Sequence, residues 1–269
     1  MIVSIAIAAL LLGAPVDASP RAPDLALPAP ESPLAVYRLK LSVDVPVIAG
    51  GAVATIAARF FLKDKLARIT CPCDPGGLNF IDRGSVGNRN HTANIVSDVT
   101  VALALAAPPI LDLLDIGLGR AFGEDFVVFA ETMMVNSTLE QVVNFATARP
   151  RPRTYANDPA YLTVADGYLS FYSGHAAYGF AALSVASATV RLRYGEQVWP
   201  WVVTGVVGGS IAVERVLAGS HFPTDVAAGA LVGTALGIGI PWLHARPQMK
   251  QLSLLPADGG RGLALAGTF

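Results

Sequence analysis

Apolar runs recur along the chain with polar breaks between them, at 45–62, 95–111, 126–146, 175–191, 198–213 and 225–243. Each is roughly 16 to 21 residues, near the length an α-helix needs to cross a hydrocarbon core. The runs are rich in Ala, Gly and Val rather than Leu. The last carries Gly229, Gly233 and Gly237 at four-residue steps, a ridge that admits close approach of a neighbouring helix. The pattern predicts an all-α fold, a six-helix transmembrane bundle; a soluble bundle with buried helices is the alternative. Before the bundle, residues 1–18 read as a signal peptide or an uncleaved anchor: an apolar run followed by Val16-Asp17-Ala18, a small-x-small cleavage pattern. Residues 19–43 read as a Pro/Ala-rich linker, 44–244 as the membrane domain and 245–269 as a C-terminal tail.

Composition strengthens the membrane reading. Hydrophobic residues make up 53% of the chain and charged residues 14%, well away from the usual soluble balance. A net charge of −1 offers nothing to a nucleic acid, so that class of partner is set aside. Oligomeric state leaves no trace in the sequence.

The candidate chemistry lies in three segments. In Arg215-Val-Leu-Ala-Gly-Ser-His221-Phe-Pro-Thr-Asp225, His221 and Asp225 stand four apart, on one helical face. In that spacing the carboxylate can accept a hydrogen bond from the imidazole, fix its tautomer and leave the other ring nitrogen as nucleophile or base. Upstream stands Ser173-Gly174-His175, preceded by Arg149-Pro-Arg151-Pro-Arg153. Guanidinium groups converging on a histidine pair suit phosphoryl transfer, whose charge spreads over the equatorial oxygens.

These blocks resemble the motifs of the type 2 phosphatidic acid phosphatase family, which shares its site with vanadium haloperoxidases. That pattern is a lysine, six residues and Arg-Pro; then Pro-Ser-Gly-His; then Ser-Arg, five residues, His, three residues and Asp. Arg151-Pro152, Ser173-Gly174-His175, Arg215, His221 and Asp225 match in order. The resemblance implies an integral-membrane lipid phosphatase that needs no cofactor or metal and acts on a lipid phosphate. His221, oriented by Asp225, would form a phosphohistidine, and His175 would serve the leaving group and then the water. Arg151, Arg215, Ser173 and the Gly174 N–H would hold the phosphate. Three positions depart from the pattern: Asn144 stands for the lysine, Tyr172 for the proline and Glu214 for the serine. Asn144 as hydrogen-bond donor and Arg149 as charge are the candidates to replace the lost cation. A lipid phosphotransferase, a vanadate-dependent haloperoxidase and a weakened lipid-binding pseudo-enzyme are the competing readings.

Threading the six spans brings all three segments to one side of the membrane. The side is contested. Arg59, Lys63, Lys65 and Arg68 lie at the site end, which the positive-inside rule makes cytoplasmic. The resemblance instead implies a bacterial inner membrane and a site facing the periplasm. Cys71-Pro-Cys73 reads as a structural or incidental pair, because a disulfide across one residue is strained and two further metal ligands are missing. His91 reads as a solvated loop residue and His244 as an interfacial helix end. Glu131 and Glu140 are acids inside a span, where charge is costly; Glu140 and Asn144 share a face toward the site.

Overall fold

The computed structural model describes residues 34–246 and the backbone of two strands, Leu252–Pro256 and Leu263–Gly267. The expected signal peptide or anchor, and the linker as far as residue 33, lie outside the described residues. Among the described residues, six long helices follow the six apolar runs. They are α1 (Leu41–Leu66, with a π-helical turn at Ala58–Leu62), α2 (His91–Ile116), α3 (Arg120–Thr147), α4 (Gly174–Tyr194), α5 (Trp199–Leu217) and α6 (Pro223–His244). Most overrun their apolar runs at both ends, and α5 at its C-terminal end only, because hydrophobicity marks the lipid-facing middle whereas caps mark the ends. Asn90, for example, accepts from the Ala93 N–H and starts α2, and Pro223 occupies the first turn of α6. After the bundle the two strands pair antiparallel, Leu252 opposite Gly267, so a small hairpin stands within the segment read as a tail.

Four of the six helices, α1, α2, α5 and α6, are long and apolar enough to cross a membrane. Large apolar side chains on them, among them Val53, Phe60, Leu114, Leu231 and Trp242, are exposed, as a lipid solvent allows. The protein is an integral membrane protein. The other two helices are less apolar because they form the interior: α4 packs against α2, α3, α5 and α6. Its buried face is mostly Ala, Ser and Thr, with Leu183 and Val185, and α3 buries Glu124, Asp125, Asn136 and Asn144. The glycine ridge on α6 meets α4: a Cβ at Gly233 would lie 2.2 Å from the Ala177 carbonyl oxygen and one at Gly237 2.5 Å from that of Ala181. Backbone contact at this distance fixes the rotation of α6, and with it the positions of the residues on its first turn.

The helices alternate in direction. Asp44 in the first turn of α1 lies 3.4 Å from His244 at the end of α6. At the other end, Asp98 near the start of α2 meets His175 near the start of α4 and Arg215 near the end of α5. That second end gathers the three sequence motifs.

Candidate active site

The segment between α5 and α6 turns through Gly219, at φ +67°, where a Cβ would lie 1.9 Å from the Asn88 carbonyl oxygen. The turn brings His221 back under the segment that precedes α4. Its Nδ1 lies 2.8 Å from the Ser170 carbonyl oxygen and its Nε2 lies 3.2 Å from Arg151 Nη1. A carbonyl can only accept and a guanidinium can only donate, so the proton sits on Nδ1 and Nε2 presents a lone pair. His221 is 3% exposed. Burial, and then the Arg151 and Arg215 charges, hold its pKa well below the ordinary histidine value, so the ring is neutral.

Asp225 does not take the hydrogen bond expected of it. Its Oδ2 stands 3.9 Å from His221 Nδ1 and accepts instead from Ser170 Oγ at 2.6 Å and the Phe222 N–H at 2.9 Å. As the third residue of α6 its carboxylate folds back over the helix start, which turns it away from the ring. It therefore acts on His221 through Ser170, whose hydroxyl it fixes and whose carbonyl holds Nδ1. Nothing in the sequence pattern pointed to Ser170.

Arg149 does not stand ready for a phosphate either. Its guanidinium is paired with Asp225 and, at 2.7 Å, with Asp82, while Nη1 donates to Thr224 Oγ1 at 2.9 Å. It also stacks 4.5 Å from the centroid of Phe222. Two buried carboxylates neutralise this cation, so it ties the loop before α4 to the start of α6. Asp82 is fully buried and takes further bonds from Asn79 and Thr224. Burial pushes its pKa up, and the bonds from Thr224, Arg149 and Asn79 outweigh this and bring it below the ordinary value.

Arg151 and Arg215 remain beside the histidines. Arg151 donates to the backbone oxygens of Asp166, Ser220 and Leu169, which aim it at His221 Nε2 without cancelling its charge. Burial lowers its pKa from a starting value so high that the guanidinium stays charged. Arg215 Nη1 donates to Asn94, Ser97 and Asp98 of α2, and its Nε is buried with no hydrogen-bond partner among the described residues. Ser173 Oγ is in the same condition at the start of α4. Buried orphan donors are rare and call for an acceptor, and a helix start with arginines beside it is an anion site. Gly174 opens that helix; a Cβ there would lie 3.1 Å from Glu140 Oε1.

His175 finds a partner that the motif reading missed. Its Nε2 lies 2.7 Å from Asp98 Oδ1, the oxygen that Arg215 also reaches at 3.3 Å. An acid inside an apolar run at 95–111 was the available signal. Asp98, not Glu214, is the acid beside Arg215: among the described residues Glu214 makes no ion pair with it. Asn144 is buried, and its amide nitrogen is taken by Glu140 Oε1 at 2.6 Å, so it stands as part of a polar contact between α3 and the loop before α4. The sulfurs of Cys71 and Cys73, read as a structural or incidental pair, are joined in a disulfide, the bond that the sequence argument weighed against.

One end of the helical membrane bundle thus collects two histidines, two arginines and a helix start without a side-chain cap, an arrangement that suits an oxyanion. Residues 125–248 match the model of the PAP2 superfamily, and they contain all three motifs. The segment that carries the site is therefore similar to that superfamily. An undecaprenyl-diphosphatase of Sulfolobus acidocaldarius is 28% identical over 103 residues, 38% of this chain and 47% of the relative. The chain thus spans about half the length of that relative. A transmembrane PAP2 type phosphatidylglycerolphosphate phosphatase from Bacillus subtilis superposes with a TM-score of 0.44 at 17% identity, covering 74% of this chain and 94% of that one.

The neutral His221 has a measurable consequence. In the unfolded chain the ring takes up a proton near the ordinary value of about 6.5, whereas in the fold it does not. The unfolded state therefore binds more protons as pH falls below that value, and stability falls with it. One such group costs about 1.4 kcal/mol per pH unit until the folded pKa is reached. Denaturant unfolding in detergent between pH 6.5 and 5 should show wild type losing about that much more per unit than His221→Gln. Parallel slopes would mean that the ring is already protonated in the fold.

Proposed function

We propose that the protein is a membrane lipid phosphatase that hydrolyses a phosphomonoester or diphosphate of a lipid through a phosphohistidine on His221. The observation that carries this reading is the His221 tautomer, a buried, uncharged ring whose Nε2 lone pair faces the Arg151 guanidinium. The Nε2–P bond forms as the P–O bond to the lipid breaks, and His175 gives its proton to the leaving oxygen. His175 then takes a proton from water, whose oxygen attacks phosphorus; the Nε2–P bond breaks, and phosphate and the neutral imidazole are released. Asp98 accepts from Nε2 of His175, which leaves Nδ1 to exchange the proton. Arg151, Arg215, Ser173 Oγ and the first N–H groups of α4 bind the phosphate oxygens and stabilise the trigonal transition state. The two arginines supply the positive charge, so the chemistry needs no metal at this site.

A site at the end of a lipid-exposed bundle favours an amphiphilic substrate, and the undecaprenyl-diphosphatase similarity directs attention to lipid diphosphates. The disulfide favours placing the site on an oxidising side of the membrane, the periplasm in a bacterium, because it follows α1 at the site end. The Lys63–Asp166 pair weakens the opposing argument from positive charge at that end.

Purified protein should release phosphate from phosphatidic acid, phosphatidylglycerol phosphate or undecaprenyl diphosphate in excess EDTA, at a temperature where the fold is intact. Activity that vanishes on chelation and returns with Mg²⁺ would sink the arginine-based mechanism. Transfer of labelled phosphate to an added alcohol in preference to water would make the protein a phosphotransferase.

A further inference from the structure

Far from His221, three ionisable side chains that are distant in sequence converge at the other end of the bundle. Asp44 lies in the first turn of α1, Glu131 in α3, and His244 is the last residue of α6. The 22 residues of α6 separate this end from the active site by about 33 Å. Asp44 is 2% exposed and Glu131 9%. Two carboxylates buried together repel one another and carry a heavy desolvation cost unless a positive charge lies between them.

The histidine does not supply that charge in the expected way. His244 Nδ1 lies 2.9 Å from the Ile240 carbonyl oxygen, which can only accept, so the proton is on Nδ1. Nε2 faces Asp44 Oδ1 at 3.4 Å and Glu131 Oε2 at 3.3 Å, as a second donor if the ring is charged and as a lone pair if it is neutral. Charge-assisted hydrogen bonds from a protonated ring would draw these atoms to about 2.7–2.9 Å. Ligands about 2.0–2.1 Å from a tetrahedral zinc ion stand about 3.3–3.4 Å apart, since the edge of a tetrahedron is about 1.63 times its radius. Both separations have that value, and all three ligand atoms lie within 4.8 Å of one another. Glu131 Oε2 is buried with no hydrogen-bond partner among the described residues, so an atom aimed into the cluster is left over. The Nδ1–carbonyl bond is also the usual outer support of a metal-bound histidine.

We infer that Asp44, Glu131 and His244 form a binding site for a divalent metal ion of the zinc type. One imidazole and two carboxylates suit such an ion, and its two charges cancel those of the carboxylates. The ion ties together α1, α3 and α6 at the end remote from the chemistry, so its role is structural. The site stands independently of the phosphatase reading. Asp44 and Glu131 are 87 residues apart and His244 follows 113 later, so no short-range ligand spacing announces it.

The test uses full-length, untagged protein in detergent, stripped with chelator and titrated with Zn²⁺ alone. One Zn²⁺ per chain should bind, and the unfolding temperature should rise with it. Asp44→Asn and Glu131→Gln, which keep shape and remove charge, should each weaken binding by more than the roughly 10–100-fold that loss of a supporting hydrogen bond costs. His91→Ala and His221→Ala should bind as wild type does. No stoichiometric Zn²⁺ and an unmoved unfolding temperature in the wild type would overturn the inference and leave a protonated histidine between two carboxylates. Should the charge-removing variants fail to fold, the wild-type titration decides by itself. Chelation should lower the unfolding temperature while phosphate release continues in the cold, which separates this site from the arginine-based chemistry.

Discussion

His221→Ala should abolish phosphate release and leave no acid-labile label on the protein, whereas His175→Ala should accumulate that label. The expectation rests on the two tautomers. His221 keeps its proton on Nδ1 against the Ser170 carbonyl, so Nε2 is a permanent lone pair and needs no base to activate it. Alanine removes the atom to which phosphorus would bond, and no neighbour replaces it, since Arg151 and Arg215 are charged donors. His175 works on protons. Without it an alkyl leaving group departs unprotonated, a loss of about 10²–10⁴-fold, whereas an activated aryl phosphate leaves as its own stable anion. Labelled aryl phosphate should therefore phosphorylate His221 in His175→Ala and stay there, because the hydrolytic water lacks its base. Rapid acid-free quenching followed by gel analysis reads both variants. Equal labelling of the two would mean that the nucleophile is another residue or that no covalent intermediate forms.

The helices were legible in the sequence because lipid imposes one requirement on a whole span, an apolar run of fixed length. α3 and α4 were found by the same rule although they are the least apolar of the six: the buried Ala, Ser and Thr of α4 still pass as membrane residues, and α3 keeps an apolar run around its buried acids and amides. The motif residues were legible because they stand at the intervals of a known family pattern. Partners were not. Asp225 was expected on His221 from spacing alone, but the α6 start gives it a stronger claim, the Phe222 N–H, and Ser170 fills the gap. Arg149 and Arg151 are alike in sequence, and only the fold shows that Asp82 and Asp225 neutralise the first while backbone carbonyls leave the second charged. A carboxylate brought from another helix, such as Asp82, Asp98 or Asp44, carries no local pattern. Such contacts depend on which helix ends meet, and here the α6 glycine ridge decides much of that.

Asp98→Asn should lower kcat on an alkyl lipid phosphate about 100-fold, with little change in KM. Asp98 does not touch the reacting atoms; it positions His175, and one oxygen serves both His175 at 2.7 Å and Arg215 at 3.3 Å. Asparagine keeps an oxygen acceptor near that place, so the His175 orientation largely survives and what is lost is negative charge. That charge stabilises the protonated ring that must form when His175 takes a proton from water, and its loss falls within the range of general acid–base effects. The split between kcat and KM then separates the two contacts. If the charge acts on His175, kcat falls for poor leaving groups, the loss shrinks for aryl phosphates, and Asp98→Glu restores part of the rate. A charge acting chiefly on Arg215 competes with phosphate for the guanidinium, so its removal would lower KM and spare kcat. Measurement of both constants on a lipid and an aryl substrate distinguishes these cases, and a change confined to KM would remove Asp98 from the proton-transfer machinery.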